Sequence, residues 1–254
     1  MIIGIDIGNT TTEIGFLRSE TLIKSYKLKT DRGKTQDDWF LDLYQILIIE
    51  DFPEIKDYAI SSVVPTVEER VGKAVKKISG KKALFIGRDL PIHITNKYKN
   101  PDEVGIDRLV NGYAVVKKYG YPSIVIDFGT AITFDVINEK AEYVGGAIFP
   151  GIDASVESLF SKTAKLPSVN LEKITHVIGK TTVDSIRTGL YHGYVSMVEG
   201  IVEKINKEAG YNHRVIITGG NGKLISEGLK IDFVYDKFLS MEGIYFVYTD
   251  YKKG

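Results

Sequence analysis

The 254-residue chain contains no cysteine, which excludes disulfides, thiolate metal sites and cysteine nucleophiles. It has no net charge, because 33 Lys and Arg offset 33 Asp and Glu, and no basic stripe stands out locally. The electrostatic footprint of a nucleic-acid-binding protein is therefore missing. No apolar run approaches 18 residues, so no membrane span is expected. Met1 leads straight into a predicted strand, without the basic start, apolar stretch and small-residue cleavage site of a secretory signal. A cytoplasmic protein is the expectation. Histidine is scarce: His93, His176, His192 and His213 are scattered without paired metal-ligand spacing and read as surface or packing residues. What remains is 43% hydrophobic, enough for an ordinary globular core, over a length that suits one or two domains.

The most informative stretch is the first. IIGIDIGNTTTEIGFL, residues 2–17, is a pair of apolar runs around a turn of Asp6, Gly8, Asn9 and three threonines, and predicts a β-hairpin. A third strand is expected at 21–28, a helix at 35–50 and a strand over 58–65 that stops at Pro65. A helix at 66–79 and a short strand at 83–87 follow. Mixed order of this kind predicts an α/β domain. The pattern then begins again. SIVIDFGTAITFDVI, residues 123–137, repeats strand, Asp-x-Gly, hydroxyl residue, strand. A third strand at 141–151, a helix near 183–206, a strand at 214–220, a helix from about Lys223 and a short strand around Phe233 complete the second half. The repeat predicts a duplicated domain.

A strand-turn-strand with small residues at its tip aims backbone N–H groups and hydroxyls at one spot, and such a turn can cradle a phosphate. Asp6 and Asp127 each end a strand there. Either can hold a cation or its waters against phosphates as a hard oxygen ligand, or can cap its own turn. TGGNGKLI, residues 218–225, has neither Walker A nor dinucleotide spacing. Its Gly219 and Gly220 either admit a nucleoside or simply turn the chain. In NPDEVGIDRLVNGYAV, residues 100–115, Asp107 and Arg108 follow Gly105 at a predicted helix start. Asp107 is either a cap, worth about 1 kcal/mol, or a base for a substrate hydroxyl, with Arg108 on an anionic group of the same substrate.

DIGNTTTEIG (6–15), NPDEVGIDRLVNGYAV (100–115), DFGTAITFD (127–135), GGAIFPGI (145–152), TAKLP (163–167) and GKTTVDSIRTGLYHG (179–193) together resemble type III pantothenate kinase, of the acetate kinase, sugar kinase, Hsp70 and actin superfamily. They come in the family's order and span nearly the whole chain. Two positions depart from its usual pattern, Ile106 where Ala is frequent and Thr188 where Ser is frequent; neither removes a polar group. The resemblance implies an α/β fold of two ribonuclease-H-like domains, which we divide as residues 1–118 and 119–254. It implies ATP-dependent phosphorylation of the primary hydroxyl of pantothenate, with Mg2+ and a monovalent cation, K+ or NH4+, in a homodimer. Asp6, Ile7, Gly8, Asn9, Thr10, Thr11, Thr12 and Glu13 would bind ATP together with Thr130, and Asp6 would help hold Mg-ATP. Asp127 would ligate the monovalent cation. Tyr98, Gly105, Ile106, Asp107, Arg108 and Thr182 would contact pantothenate, with Asp107 as general base. On residues alone, Tyr98 also reads as a half-buried aromatic and Thr182 as a helix cap. Two rivals stand beside this reading. One is another small-molecule kinase of the superfamily, against which the Gly-Ile-Asp-Arg segment argues. The other is a non-catalytic nucleotide-binding regulator, against which the presence of Asp107 argues.

Overall fold

The computed structural model describes residues 1–52, 54–161 and 169–253, and the backbone alone for 160 and 161. Two compact units divide it: Met1–Lys118 with Phe238–Gly254, and Tyr119–Lys237. The expected TAKLP segment lies outside the described residues.

In the first unit β1 (Ile2–Ile7), β2 (Thr11–Arg18) and β3 (Thr21–Lys29) form an antiparallel meander. After α1 (Gln36–Glu50), β4 (Asp57–Ser62) adds parallel to β1, and after α2 (Pro65–Ser79), β5 (Leu84–Phe85) adds parallel to β4. The sheet order is β3-β2-β1-β4-β5. Strand β4 ends at Ser62, short of the expected Pro65, because that proline opens α2, where its missing N–H costs nothing. A short strand β6 (Thr95–Asn96) and a 3-10 turn (Pro101–Glu103) lead into α3 (Ile106–Lys118), and α7 (Leu239–Lys253) returns to this unit at the end of the chain.

Alternation along β1 decides which helices cover which face. Ile3, Ile5 and Ile7 pack with Trp39 and Leu43 of α1 and Val67 and Val71 of α2. Ile2 packs with Val110 and Tyr113 of α3 and Met241 and Ile244 of α7. The expected second domain extends to residue 254. Instead α7 belongs with the first unit, because the apolar stripe of Leu239, Met241, Ile244 and Val247 covers the second face of that sheet.

The second unit repeats the plan. Strands β7 (Ser123–Phe128), β8 (Ala131–Ile137) and β9 (Glu142–Pro150) form an antiparallel meander, and after α4 (Ile152–Ser161) and α5 (Thr182–Ala209), β10 (Arg214–Gly219) adds parallel to β7. Past α6 (Gly222–Ser226), β11 (Val234–Tyr235) adds parallel to β10. The five strands run β9-β8-β7-β10-β11, matching the first unit strand for strand. Ile124, Ile126 and Phe128 bury one face against Tyr191, Tyr194 and Val198 of α5.

Candidate active site

In each unit the first strand ends in an aspartate at the same place. Asp6 is the fifth residue of β1, opposite Glu13 on β2 and Ser61 on β4. Asp127 is the fifth residue of β7, opposite Thr133 on β8 and Thr218 on β10. Both are half-buried. Each is followed by a hairpin turn at the carboxyl end of a parallel strand, where open α/β sheets place their ligands.

The first turn spans Gly8 to Thr10, closed by the Gly8 N–H on Thr11 O at 3.0 Å. Asn9, Thr10 and Thr11 are exposed and Thr12 is buried. The Thr12 hydroxyl is bonded to that of Thr30 at 2.8 Å, so the Asn9 amide and the first two threonine hydroxyls face outward and the third anchors the turn. Glu13 is paired with Lys27 at 3.2 Å.

Asp107 belongs to the same end of the same sheet. Side chains of Ile2 and Ala59 point to the α3 face, and by the two-residue period so do Asp6 and Ser61. The Val63 N–H bonds Ile7 O at 3.0 Å, tying the end of β4 to the end of β1. A methyl group on Gly105 would lie 3.6 Å from Val63 Cγ1, an ordinary contact, and 2.5 Å from Asp107 Oδ1, so the head of α3 lies beside the end of β4 and glycine there leaves room for the Asp107 carboxylate. Asp107 is the second residue of α3, and its Oδ1 accepts the Arg108 N–H at 2.8 Å. Burial pushes its carboxyl above the usual carboxylate range, and the Arg108 amide and charge oppose that shift. Ser61 was not anticipated: it is 1% exposed and its hydroxyl has no partner among the described residues. Its signal in the sequence was a serine pair ending a strand, too common to single out.

In the second unit the turn is shorter, Gly129 and Thr130, closed by the Gly129 N–H on Ala131 O at 3.2 Å. Both residues are exposed. Gly219 has φ +88°, and a Cβ there would stand 2.6 Å from Asp127 Oδ1. Only glycine permits both the backbone conformation and the approach. The Gly220 N–H bonds Phe128 O at 3.1 Å, so the 219–220 pair is packed on the Asp127 turn.

Residues 2–204 match the family described as type III pantothenate kinase. The chain belongs to the type III pantothenate kinase family. The type III pantothenate kinase of Persephonella marina is 55% identical over 251 residues, covering 98% of each chain. That of Sulfurihydrogenibium sp. is 48% identical over 253 residues, covering 97% of this chain and 99% of the other. Among solved structures, a ROK family glucokinase from Streptomyces griseus, in complex with glucose and AMPPNP, matches with a TM-score of 0.51 at 12% identity, covering 100% of this chain and 99% of that one. The fold is thus that of the sugar kinases, with the same strand plan repeated in both units.

Of the positions the pantothenate kinase resemblance marks, Asp6 to Glu13 and Gly105 to Arg108 come together at one sheet end, while Asp127 and Thr130 share the turn of the other unit, beside Gly219. Tyr98 is half-buried on a loop, and its own N–H donates to Asn96 Oδ1 at 2.9 Å. Thr182 opens α5 and is exposed, and the cap is its neighbour Thr181, which accepts the Asp184 N–H. The cap reading of Thr182 therefore passes to Thr181. Asp184 also takes the Lys180 N–H at 3.0 Å and His176 Nε2 at 2.9 Å, which hold its carboxyl below the usual range and fold the 176–182 loop onto the helix. Two surface grooves of about 440 Å³ each, one lined by Glu68, Lys76, Phe85 and Arg88 and one by Glu203, Lys207 and Tyr211, contain none of these residues.

Proposed function

We propose that this chain transfers the γ-phosphoryl group of ATP to the primary hydroxyl of pantothenate, giving 4'-phosphopantothenate on the way to coenzyme A. The observation that carries this reading is Asp107, a carboxylate held at the same face and end of the sheet as Asp6 and the hydroxyl turn. Asp107 takes the proton of the pantothenate hydroxyl as that oxygen attacks phosphorus. Its raised pKa makes it a stronger base than a solvated carboxylate. Arg108 pairs with the pantothenate carboxylate, and Tyr98, Gly105, Ile106 and Thr182 complete the substrate contacts. The backbone and hydroxyls from Asp6 to Glu13, with Thr130, bind the nucleotide phosphates. Phosphoryl transfer asks the protein chiefly to position groups and neutralise charge.

The donors suit hard cations. No group of three or more His, Cys, Asp or Glu capable of holding a metal occurs among the described residues, so Asp6 would hold Mg2+ jointly with the nucleotide's own oxygens, and Asp127 would hold K+ or NH4+. A bound Mg2+ supplies neutralisation of the phosphate charge.

Assembly as a homodimer is supported by α5. One face of it is buried through Tyr191, Tyr194, Val195, Val198 and Val202, whereas Leu190, Met197 and Ile201, at the edge of that core, and Ile186 keep part of their surface exposed. Light scattering at micromolar concentration should give twice the chain mass; the mass of one chain rules the dimer out. A cytoplasmic location is proposed with it, and no helix among the described residues is long and apolar enough to cross a membrane.

A coupled assay of ADP formation with and without pantothenate tests the function directly. ADP release should depend on pantothenate, and turnover that ignores it would sink the proposal.

A further inference from the structure

The strand-to-helix connection after β3 is tied to the first turn at several points. The Thr30 N–H bonds Thr10 O at 2.9 Å, next to the buried hydroxyl pair of Thr12 and Thr30 at 2.8 Å. Arg70 of α2 donates from Nη1 to Arg32 O at 2.6 Å and to Lys34 O at 2.8 Å. The Gly33 N–H bonds Asp31 Oδ1 at 2.7 Å. An exposed connection with this many anchors is held for a purpose, because each anchor offsets chain entropy that a surface loop otherwise keeps.

What the anchoring delivers is Arg32. Its side chain is exposed and reaches back over the turn, where Nη2 donates to Asn9 Oδ1 at 3.0 Å. Among the described residues no carboxylate pairs with Arg32, and the neighbouring Asp31 is engaged by the Gly33 amide. The bond to Asn9 has a second consequence. With its oxygen taken by the guanidinium, the Asn9 side chain offers its Nδ2 donors, the correct polarity for an anion.

We propose that Arg32 is a further nucleotide-binding residue, donating from its guanidinium to oxygens of the phosphate chain of ATP held at the Gly8–Thr10 turn and setting the Asn9 amide to donate alongside it. The proposal rests on the reading of that turn as an ATP site. Guanidinium-to-phosphate pairing is charge-assisted and directional, and lysine cannot reproduce its fork.

Calorimetric titration of the full chain with ATP and with adenosine, without pantothenate, tests it. Hydrogen bonds to charged groups imply that Arg32→Gln weakens ATP binding about 10- to 100-fold. Adenosine affinity and melting temperature should stay as in the wild type, and Arg32→Lys should recover part of the loss. Unchanged ATP affinity in Arg32→Gln overturns the proposal, as does an equal loss for adenosine. A double-mutant cycle isolates direct contact from action through Asn9: Arg32→Gln should still weaken ATP in an Asn9→Ala background, and no further loss there overturns the direct contact. A wild-type chain that binds no ATP overturns the reading of the turn itself, a result visible before any variant is made.

Discussion

At the head of α3 two effects act on Asp107 in opposite directions. Burial favours the protonated acid, while the Arg108 amide and guanidinium favour the carboxylate, and burial wins. A carboxyl whose folded pKa exceeds its unfolded value binds its proton more firmly in the native state. Stability therefore falls as pH rises through the interval between the two values, and below that interval the cost is absent. Asp107→Asn removes the ionisable group. At neutral pH its melting temperature should equal or exceed that of the wild type, and the difference should close as pH drops below the ordinary carboxylate range. Turnover should nonetheless fall by about 10²–10⁴-fold, the usual contribution of a general base, with ATP affinity little changed. In the wild type kcat should drop on the acid side at a pH above that of a solvated aspartate. Near-normal turnover with a lowered melting point would return Asp107 to a purely structural role. The second turn carries its own test. Asp127→Ala should lose activity together with any preference for potassium over sodium. Gly219→Ala should weaken the same preference, because it sets a methyl 2.6 Å from Asp127 Oδ1 at φ +88°. Full, potassium-dependent turnover in Asp127→Ala would remove the cation from this site.

At the scale of elements, legibility followed the clarity of the hydrophobic period. The strands around Asp6 and Asp127 alternate over two covered faces and were readable, and so was α5, whose buried residues recur three and four apart. Helix α7 was not read. Its buried positions, Leu239, Met241, Ile244, Val247 and Tyr248, do keep helical spacing, but Tyr245, Phe246 and Tyr251 fill the intervening positions and blur the stripe into a continuous aromatic run. The helix expected from Lys223 is only Gly222–Ser226. Among the candidate site residues, the paired aspartates and Asp107 are proposed from strand-end carboxylates and a Gly-Ile-Asp-Arg segment. Ser61 and Arg32 could not, because their positions depend on cross-strand register and on anchors that are distant in sequence. Helix α1 offers an element-scale prediction. Thr35 and Asp38 exchange bonds, Asp38 N–H to Thr35 Oγ1 at 3.2 Å and Thr35 N–H to Asp38 Oδ2 at 2.7 Å. Removing such a cap costs about 1 kcal/mol, so denaturant unfolding of Thr35→Ala should shift by about that amount, with kcat unchanged. A larger loss of activity than of stability would mean that the start of α1 also steers the Arg32 connection beside it.

The whole chain is two copies of one five-stranded plan, the second inserted into the first. The insertion follows from where the chain crosses between units. The second unit begins at Tyr119 and ends at Lys237, and the Tyr119 hydroxyl bonds Asp236 Oδ2 at 2.8 Å, so its two ends are neighbours. The first unit's cut ends are neighbours too, because Lys118 pairs with Glu242 near the start of α7. Cutting the chain at residue 118 therefore gives a fragment that lacks a helix rather than a complete domain. Without α7 the face carrying Ile2, Leu17, Ala59, Val110 and Tyr113 loses its cover, and each large side chain so exposed forfeits about 1.5–3 kcal/mol of burial. Several such losses are comparable with the 5–15 kcal/mol by which an ordinary domain is stable. Residues 1–118 expressed alone should show no cooperative melting transition. The same residues joined by a short Gly-Ser linker to 238–254 should fold cooperatively, since the linker spans ends that the Lys118–Glu242 contact already brings together. Residues 119–237 should also fold alone, as an inserted domain with adjacent termini does. Circular dichroism melts of the three fragments decide the matter. A cooperative transition in 1–118 without α7 would show that the last helix is an accessory, and that the first sheet is stable with one face half uncovered.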